Sequence, residues 1–280
     1  MTPLHDALVK QGLAVEHPVP SACKVCQKLA PLFDVVDFAR SCGDEPYEDG
    51  LSGVPIYWHR CPDCGLLFTT AFDRLSSRGW VSFIYNDYYY QALDTDYLSI
   101  RPTLNAEVVR QVCLTRRGEV CGLDYGGGNG ALAALLRKAG LAFMTYDPYA
   151  VSGDVESLIG RCNVLSTFEV LEHTIDPHGT FADMLRFAAP EFVMVASTQT
   201  SDGLVDSSKR LEWNYAAPRN GHVTIYERRT LTRLAKSYGL DHLPVSRGLH
   251  LFGRGVSLEP LKWAAGWVKL KQRVRARLGR

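Results

Sequence analysis

A chain of 280 residues with 46% hydrophobic and 22% charged residues has the composition of a globular protein and is long enough to bury a full core. Its formal net charge of +1 gives no reason to expect a nucleic-acid partner. No apolar run reaches the roughly 20 residues that span a bilayer, and residues 1–20 lack the pattern of a signal peptide. Eight cysteines in such a chain favour a reducing, cytoplasmic location, where paired cysteines bind metal more often than they form disulfides.

The N-terminal part of the chain carries two Cys-x-x-Cys pairs. Their members are Cys23, Cys26, Cys61 and Cys64. Each pair is a tight turn that aims two sulfurs at one ion, and four thiolates complete the shell of a structural zinc. The spacer of 34 residues is longer than in common zinc ribbons, but the cost of loop closure rises only slowly with length. We predict a zinc-ribbon-like module over residues 1–90. Reduced, buried cysteines without metal are the alternative.

The spacer and the stretch after it carry further signals. Two strand-like segments, Leu32–Phe38 and Val54–Trp58, predict a small sheet between the cysteine pairs. Cys42 and His59 are reserve ligands, should one of the four cysteines not bind. The aromatic run from Trp80 to Tyr90 predicts either a wall over a ligand or packing between the N-terminal module and the next domain.

The centre of the chain has the pattern of strand, glycine turn and helix. The apolar segment Val120–Leu123 predicts a strand that ends at Asp124, and Ala131–Lys138 predicts a helix. The turn between them consists of Gly126, Gly127, Gly128, Asn129 and Gly130. Glycines let the backbone approach a ligand closely, and a helix N-terminus offers free N–H groups to an anionic group. Alone, this turn fits a dinucleotide almost as well as another adenosine cofactor, because Asp147 follows at the dinucleotide spacing.

The motifs that follow the turn favour one family. In chain order the set is Asp124-x-Gly-x-Gly-x-Gly130, then Asp147 after a strand-like Ala142–Tyr146, then Glu169-Val-Leu-Glu-His173. This ordered set resembles the class I S-adenosylmethionine-dependent methyltransferases over roughly residues 100–257. The two cysteine pairs in front are similar to those of sugar methyltransferases of antibiotic and surface-polysaccharide pathways.

The resemblance implies a fold and a cofactor site. The fold is α/β, with a Rossmann-like sheet of seven strands, parallel with an antiparallel closing strand, over residues 91–260. The implied cofactor-binding residues are Asp124, Gly126, Gly128, Asn129, Gly130 and Asp147. In this scheme Asp124 lies near the ammonium group of S-adenosylmethionine and Asp147 accepts hydrogen bonds from its ribose. Adenine contacts are expected between Tyr149 and Asn163, where Asp154 and Glu156 are weak candidates.

The remaining helices and strands follow from periodicity and end signals. A helix is predicted over Ile100–Leu114, a second one begins at Asp176-Pro177, and a third covers Thr230–Tyr238. Further strands are predicted over Val164–Phe168, Phe192–Ala196, Leu240–Val245 and Leu249–Val256.

Three side chains are candidates for the chemistry of methyl transfer. Glu169 and His173 are four residues apart, so on a helical turn they share a face. The pKa of an ordinary histidine suits it to take a proton from a hydroxyl or an acidic carbon. His222 follows the polar loop Thr198–Gly221, which we expect to set acceptor specificity. The alternative is that the histidines and Glu169 only brace their turns.

The last segment, residues 261–280, predicts a basic amphipathic helix. From Lys262 to Arg280 there are seven basic residues and no acidic one. The apolar side chains at helical spacing are Trp263, Trp267, Leu270 and Val274. Two interpretations stay open, namely peripheral contact with a membrane or partner and packing of the tryptophan face on the chain's own domain.

The sequence therefore predicts methyl transfer to an oxygen or carbon of a small, sugar-like acceptor, with S-adenosylmethionine as donor and a structural zinc. One alternative is a sugar oxidoreductase that uses NAD(P) in the same glycine turn. Another is a non-catalytic zinc-ribbon adaptor with a degenerate methyltransferase domain.

Overall fold

The computed structural model describes residues 3–14, 20–95, 100–116, 118–148 and 155–278, with side chains as far as Val274. Within these ranges the α-helices are α1 Pro3–Lys10, α2 Ser77–Gly79, α3 Ile100–Arg116, α4 Ala131–Lys138, α5 Pro177–Arg186, α6 Arg228–Ser237 and α7 Leu258–Leu278. The strands are β1 Ser21–Ala22, β2 Leu29–Ala30, β3 Leu32–Asp37, β4 Pro55–Arg60, β5 Leu67–Phe68, β6 Cys121–Tyr125, β7 Ala142–Tyr146, β8 Cys162–Phe168, β9 Ala188–Ser197, β10 Thr224–Ile225, β11 Asp241–Pro244 and β12 His250–Arg254.

The chain divides into two compact units, each built from several segments. The first unit consists of Met1–Thr95, Leu171–His178 and Gln199–Leu234. The second unit consists of Asp96–Val170, Gly179–Thr198 and Ala235–Arg280. The domain boundaries expected from the sequence, after residues 90 and 260, stay predictions.

The first unit is organised around an antiparallel sheet with the strand order β10-β5-β4-β3. The pairing of β3 with β4 confirms the small sheet predicted between the cysteine pairs. Its core contains Ile56, Trp58 and Phe72, each fully buried. The aromatic run packs inside this unit, where Trp80 stacks on Tyr85 with ring centroids 5.9 Å apart.

The second unit contains the larger sheet, with the strand order β11-β12-β9-β8-β6-β7. Strands β7, β6, β8 and β9 are parallel, while β12 and β11 are antiparallel to their neighbours, as expected for this fold class. The prediction of seven strands is wrong, because the sheet has six strands within the described residues. The central strands are apolar on both sides, as buried parallel strands must be, and Leu123, Val164 and Val195 are all fully buried.

The strand order places the site. Strands β7 and β8 lie on opposite sides of β6, so the direction of winding reverses beside β6. In open α/β sheets ligands bind at such a reversal, outside the carboxyl ends of the strands. The residues at those ends are Tyr125, Tyr146 and Phe168.

The predicted central helices and strands are confirmed within a few residues. Helix α4 and strand β7 have the predicted bounds, and α3 extends the predicted helix by two residues, to Arg116. Helix α7 packs against α3 in the second unit, and Gln272 Nε2 donates a hydrogen bond of 2.9 Å to the carbonyl of Leu104. No helix in the described part of the chain is long and apolar enough to cross a membrane.

Candidate active site and cysteine cluster

The glycine turn between β6 and α4 has the conformation that its sequence requires. Gly126, Gly128 and Gly130 have φ angles of 72°, 53° and 76°, in a region of backbone conformation that residues with a Cβ rarely adopt. A Cβ on Gly126 would overlap Val170, and a Cβ on Gly127 would overlap the carboxylate of Asp124. Glycine is therefore needed here both for the backbone angles and for the close approach of neighbouring side chains.

Asp124 lies buried at the carboxyl end of β6, with 3% of its surface exposed. Ser166 on the adjacent strand β8 donates a hydrogen bond of 2.6 Å to its Oδ1. Burial, opposed by the hydrogen bond from Ser166 and helped by the nearby charge of Asp147, raises the pKa of Asp124 to about 7. A cation next to this carboxylate would offset the cost of burying its charge.

Asp147 follows β7 directly and reaches back to the glycine turn. Its Oδ2 accepts a hydrogen bond of 2.9 Å from the N–H of Gly128. Asn129 precedes Gly130, the N-cap of α4, and its Oδ1 accepts from the N–H of Ala131 at 3.1 Å. The two predicted carboxylates thus flank the turn, Asp124 beside Gly127 and Asp147 on Gly128.

The predicted adenine region is only partly described. Asp154 lies outside the described residues, together with residues 149–153. Glu156 begins a short 3₁₀ turn, Glu156–Leu158, and is exposed.

Glu169 occupies the carboxyl end of β8 in an unusual conformation. Its φ is 54°, in the left-handed region that non-glycine residues seldom adopt and that often marks functional positions. Ser197 at the end of β9 fixes this residue, because its Oγ accepts from the Glu169 N–H at 3.0 Å and donates to Glu169 Oε1 at 2.5 Å. Arg101 Nη1 lies 4.0 Å from Oε2 of the same side chain.

The helical pairing expected for Glu169 and His173 is wrong. The left-handed φ of Glu169 prevents a continuous α-helical turn from residue 169 to residue 173. The turn that follows, Leu171–His173, is a 3₁₀ helix. The four-residue spacing therefore does not place the two side chains on one α-helical face.

The first unit brings His173 and His222 together. Their ring centroids are 4.9 Å apart and the rings meet edge to face. Gly221, with φ of 80°, lies against this pair, since a Cβ on it would come within 3.1 Å of His173 Nδ1. The ring of Tyr85 is 5.9 Å from that of His173, so the aromatic run contributes one wall.

Tyr215 and Glu172 complete this cluster, and sequence reasoning gave neither of them a role. The Tyr215 hydroxyl donates a hydrogen bond of 2.5 Å to Glu172 Oε1, and Glu172 is fully buried. His222 Nδ1 lies 2.9 Å from the carbonyl oxygen of Tyr215. A carbonyl only accepts, so Nδ1 carries the proton and Nε2 of the neutral ring carries the lone pair. Among the described residues, Glu172, His173 and His222 also offer ligand atoms within 4.8 Å of one another.

The four predicted zinc ligands converge in the first unit. Ligand atoms of Cys23, Cys26, Cys61 and Cys64 all lie within 4.8 Å of one another. The Sγ atoms of Cys23 and Cys64 are 3.5 Å apart, and those of Cys26 and Cys61 are 3.4 Å apart. Zinc bonds of about 2.3 Å in a regular tetrahedron put sulfurs about 3.8 Å apart, so the set fits one zinc ion. A hydrogen bond from Cys64 lowers the pKa of Cys23 to about 5 despite its burial.

The reserve ligands do not join this cluster. His59 is fully buried on β4, where its Nδ1 lies 3.3 Å from the carbonyl of Ala30. Cys42 lies instead beside the histidine pair, with its Sγ 3.4 Å from His222 Nδ1.

The chain matches a known protein family over much of its length. Residues 97–245, more than half of the chain, match the family described as "Methyltransferase domain". A search of curated proteins finds no match.

Several solved structures are similar to part of this chain. A SAM-dependent methyltransferase from Thermotoga maritima, described as a possible histamine N-methyltransferase, is 9% identical, with a TM-score of 0.41 over 60% of this chain and 98% of that one. Magnesium protoporphyrin IX methyltransferase from Synechocystis PCC 6803 with bound SAH is 14% identical, with a TM-score of 0.42 over 61% and 91% of the two chains. The plantazolicin methyltransferase in complex with SAH is 14% identical, with a TM-score of 0.45 over 64% and 94%.

Proposed function

The chain belongs to the methyltransferase-domain family, and on that premise we propose that it transfers the methyl group of S-adenosylmethionine to an oxygen or carbon of a small, sugar-like acceptor. The observation that carries the proposal is the glycine turn held between Asp124 and Asp147 at the reversal of the sheet. When bound, the cofactor supplies a methyl group activated by its sulfonium.

The chemistry of the turn suits this cofactor. Asp124 is a buried carboxylate whose raised pKa would be relieved by an ammonium group. Asp147 has one oxygen on the N–H of Gly128, and a carboxylate has the capacity to accept further hydrogen bonds from two ribose hydroxyls. The N-terminus of α4 offers backbone N–H groups beyond that of Ala131, which already bonds Asn129, to the cofactor carboxylate. In this scheme Gly126, Gly128, Asn129 and Gly130 hold the amino-acid end, and Glu169 lies at the same edge of the sheet.

The base is His222 in this proposal. The bond from its Nδ1–H to the Tyr215 carbonyl orients the ring and makes Nε2 the basic nitrogen, the one that would take the proton of the acceptor. His173, edge to face with His222, is the second candidate. The buried Glu172, held by the Tyr215 hydroxyl, supplies the negative charge that stabilises an imidazolium nearby.

A sugar-like acceptor is favoured by the composition of the loop Thr198–Gly221. Trp213 and Tyr215 stack within it at a centroid distance of 5.1 Å, and stacked aromatics offer the apolar faces on which pyranose rings rest. The coexistence of a four-cysteine cluster with the methyltransferase motifs points the same way, toward sugar or surface-glycan intermediates. No feature of the site favours the oxidoreductase or the adaptor.

The four-cysteine cluster is proposed as a structural zinc site. Four thiolates close the coordination shell, so the ion has no open position for a substrate. The reduced thiols that this requires agree with a cytoplasmic location.

Titration calorimetry tests the donor. We expect S-adenosylmethionine and S-adenosylhomocysteine to bind the wild-type protein, and Asp147→Ala to weaken both at least about tenfold by removing the ribose contacts. Glu191→Gln, an exposed change in the same unit, is the matched control and should bind normally. If the wild-type protein binds neither compound, the proposal is wrong.

The acceptor is tested separately. Protein incubated with methyl-labelled S-adenosylmethionine and a panel of nucleotide sugars should transfer label to at least one of them. Label that appears only on peptides or nucleic acids would overturn the sugar-like acceptor and leave the donor standing.

A further inference from the structure

Helix α7 has two apolar faces, and only one of them is covered. Leu258, Leu261, Ala265 and Val268 have between 0% and 7% of their surface exposed and belong to the core of the second unit. Gln272, one turn further along the helix, holds it to α3 through the Leu104 carbonyl and the Glu107 carboxylate. The position of α7 in the second unit is therefore fixed by its inner face.

The outer face of α7 is a second apolar stripe. It consists of Trp263, Trp267, Leu270 and Val274, which are 69%, 60%, 53% and 46% exposed. Their spacing of four, three and four residues keeps them on one side of the helix over about 16 Å. The alternative in which the tryptophan face packs on its own domain is therefore wrong, because the opposite face does so. Two neighbouring tryptophans exposed to this degree are costly in water and mark an interaction surface.

Basic side chains border the stripe on both sides. At 100° per residue, Lys271 and Arg273 project about 80° to either side of the stripe, and both are exposed. The sequence from Lys262 to Arg280 holds seven basic residues and no acidic one, whereas the whole chain has a net charge of only +1. The rest of the chain is therefore net acidic, and positive charge is concentrated on this helix.

We propose that the outer face of α7 docks on an anionic membrane surface, with the helix axis in the plane of the headgroups. Tryptophan rings sit well at the boundary between headgroups and acyl chains, and bordering lysines and arginines meet lipid phosphates and carboxylates. Charge complementarity selects this occupant over a second copy of the chain, since stripe-to-stripe pairing would bring two basic borders together.

The proposal is independent of the methyl-transfer chemistry, and vesicle sedimentation tests it. The full chain is mixed with large vesicles of phosphatidylcholine alone or with about a third phosphatidylglycerol, at low and high salt. We expect binding to the anionic vesicles, much weaker binding to the neutral ones, and loss of binding at high salt. Trp263→Ala/Trp267→Ala should lower the partition constant at least about tenfold, because it removes the largest apolar groups of the stripe.

Two matched control variants distinguish binding through the stripe and its basic borders from general effects of charge or exposed apolar area. Lys271→Glu/Arg273→Glu should abolish binding to anionic vesicles, whereas Lys138→Glu/Lys236→Glu makes the same charge change at exposed sites away from α7 and should bind normally. Leu114→Ala/Ile159→Ala removes exposed apolar groups elsewhere in the unit and should also bind normally. Fluorescence quenching by brominated lipids should be strong in the wild type and absent in the tryptophan variant.

Three outcomes overturn the proposal. The first is no sedimentation with any vesicle, and the second is equal binding to neutral and anionic vesicles. The third is a dimer in solution that Trp263→Ala/Trp267→Ala dissociates, since a second copy would then cover the stripe. All of the substituted side chains are exposed, so unchanged melting temperatures are expected and make a folding defect recognisable.

Discussion

Gln27 and Gly65 hold the same place in two copies of one turn. Each lies four residues after the first cysteine of its pair, and their φ angles are 60° and 81°. The copies also share a backbone bond, from Gln27 N–H to the Cys23 carbonyl at 3.0 Å and from Gly65 N–H to the Cys61 carbonyl at 2.9 Å. One copy uses the residue type suited to this conformation, and the other does not.

The first prediction follows from this repetition. Gln27→Gly should raise the free energy of unfolding by up to about 1 kcal/mol, because glycine adopts a positive φ without strain. Gly65→Ala should lower it by at least about 2 kcal/mol, since a Cβ there would also overlap the Glu227 carboxylate. Gly50→Ala is the control, because Gly50 has φ of 80° with open space around it and should show the strain alone. If urea unfolding shows that Gly65→Ala and Gly50→Ala lower the free energy of unfolding by the same amount, the overlap with Glu227 does not destabilise the fold.

The second prediction concerns the metal. Elemental analysis of protein made with zinc present should find about one zinc per chain, bound by the four-cysteine cluster. Cys61→Ser should lose this zinc and lower the melting temperature, because binding of a structural zinc contributes to folding. Cys121→Ser, in the second unit, should keep the metal, and so should His222→Gln. Loss of zinc from His222→Gln would instead assign the ion to the histidine cluster.

The third prediction is a pH dependence of cofactor binding. Without a ligand the pKa of Asp124 is raised to about 7 by burial. An ammonium beside it favours the charged carboxylate, so binding should strengthen as the pH rises through about 7 and weaken below it, by at most about tenfold per pH unit. Calorimetry with S-adenosylhomocysteine between pH 5.5 and 8.5 measures this slope. Asp124→Asn should bind more weakly and with a flat profile, whereas a wild-type profile that is flat refutes the contact.

The glycine turn shows what the sequence reveals and why. Its strand, turn and helix follow from local periodicity and glycine spacing, whereas the roles of the two carboxylates follow from the resemblance of the ordered motifs between residues 124 and 173. The cluster of Glu172, Tyr215 and His222 joins residues more than forty positions apart, and no local pattern encodes that approach. The exposed stripe of α7 was visible as spacing, but which of the two apolar faces is buried depends on α3.

The fourth prediction addresses the base. With an acceptor identified by label transfer, His222→Gln should lower kcat by about 100- to 10,000-fold and leave the affinity for S-adenosylhomocysteine within about twofold. Tyr215→Phe should cost less, because it removes only the bond to Glu172 and keeps the carbonyl that orients His222. His178→Gln is the control, since this histidine also bonds a carbonyl, that of Val25, away from the cluster. A His222→Gln enzyme with a normal kcat and an unchanged acidic limb in its pH profile would exclude the base.

The fifth prediction concerns acid stability of the second unit. Burial, with a smaller effect of His250, lowers the pKa of His242 to about 3, below the 6.5 of the unfolded chain. The unfolded state therefore binds the proton more readily, so this residue's contribution is full above about pH 6.5 and is lost as the pH falls toward 3, at up to about 1.4 kcal/mol per pH unit. His242→Phe should flatten the dependence between pH 6.5 and 4, because its ring can keep the stacking on Phe252. An unchanged slope in urea titrations would contradict the assignment.

Because the first unit is built from separate segments of the chain, parts of it that are in contact are synthesised at different times. The second cysteine turn is clasped by residues much later in the chain, with Thr230 donating a hydrogen bond of 2.6 Å to the Cys64 carbonyl and Arg60 paired with Glu227 at 2.8 Å. Ribosomes add about 5 to 20 residues per second, so about 10 to 30 s separate the emergence of these partners. During that interval the cysteine turns have been synthesised, but the segment that bonds the second of them has not. The ribosome must therefore synthesise the central strands of the second unit, within residues 121–197, before the segment Gln199–Leu234 that completes the first unit.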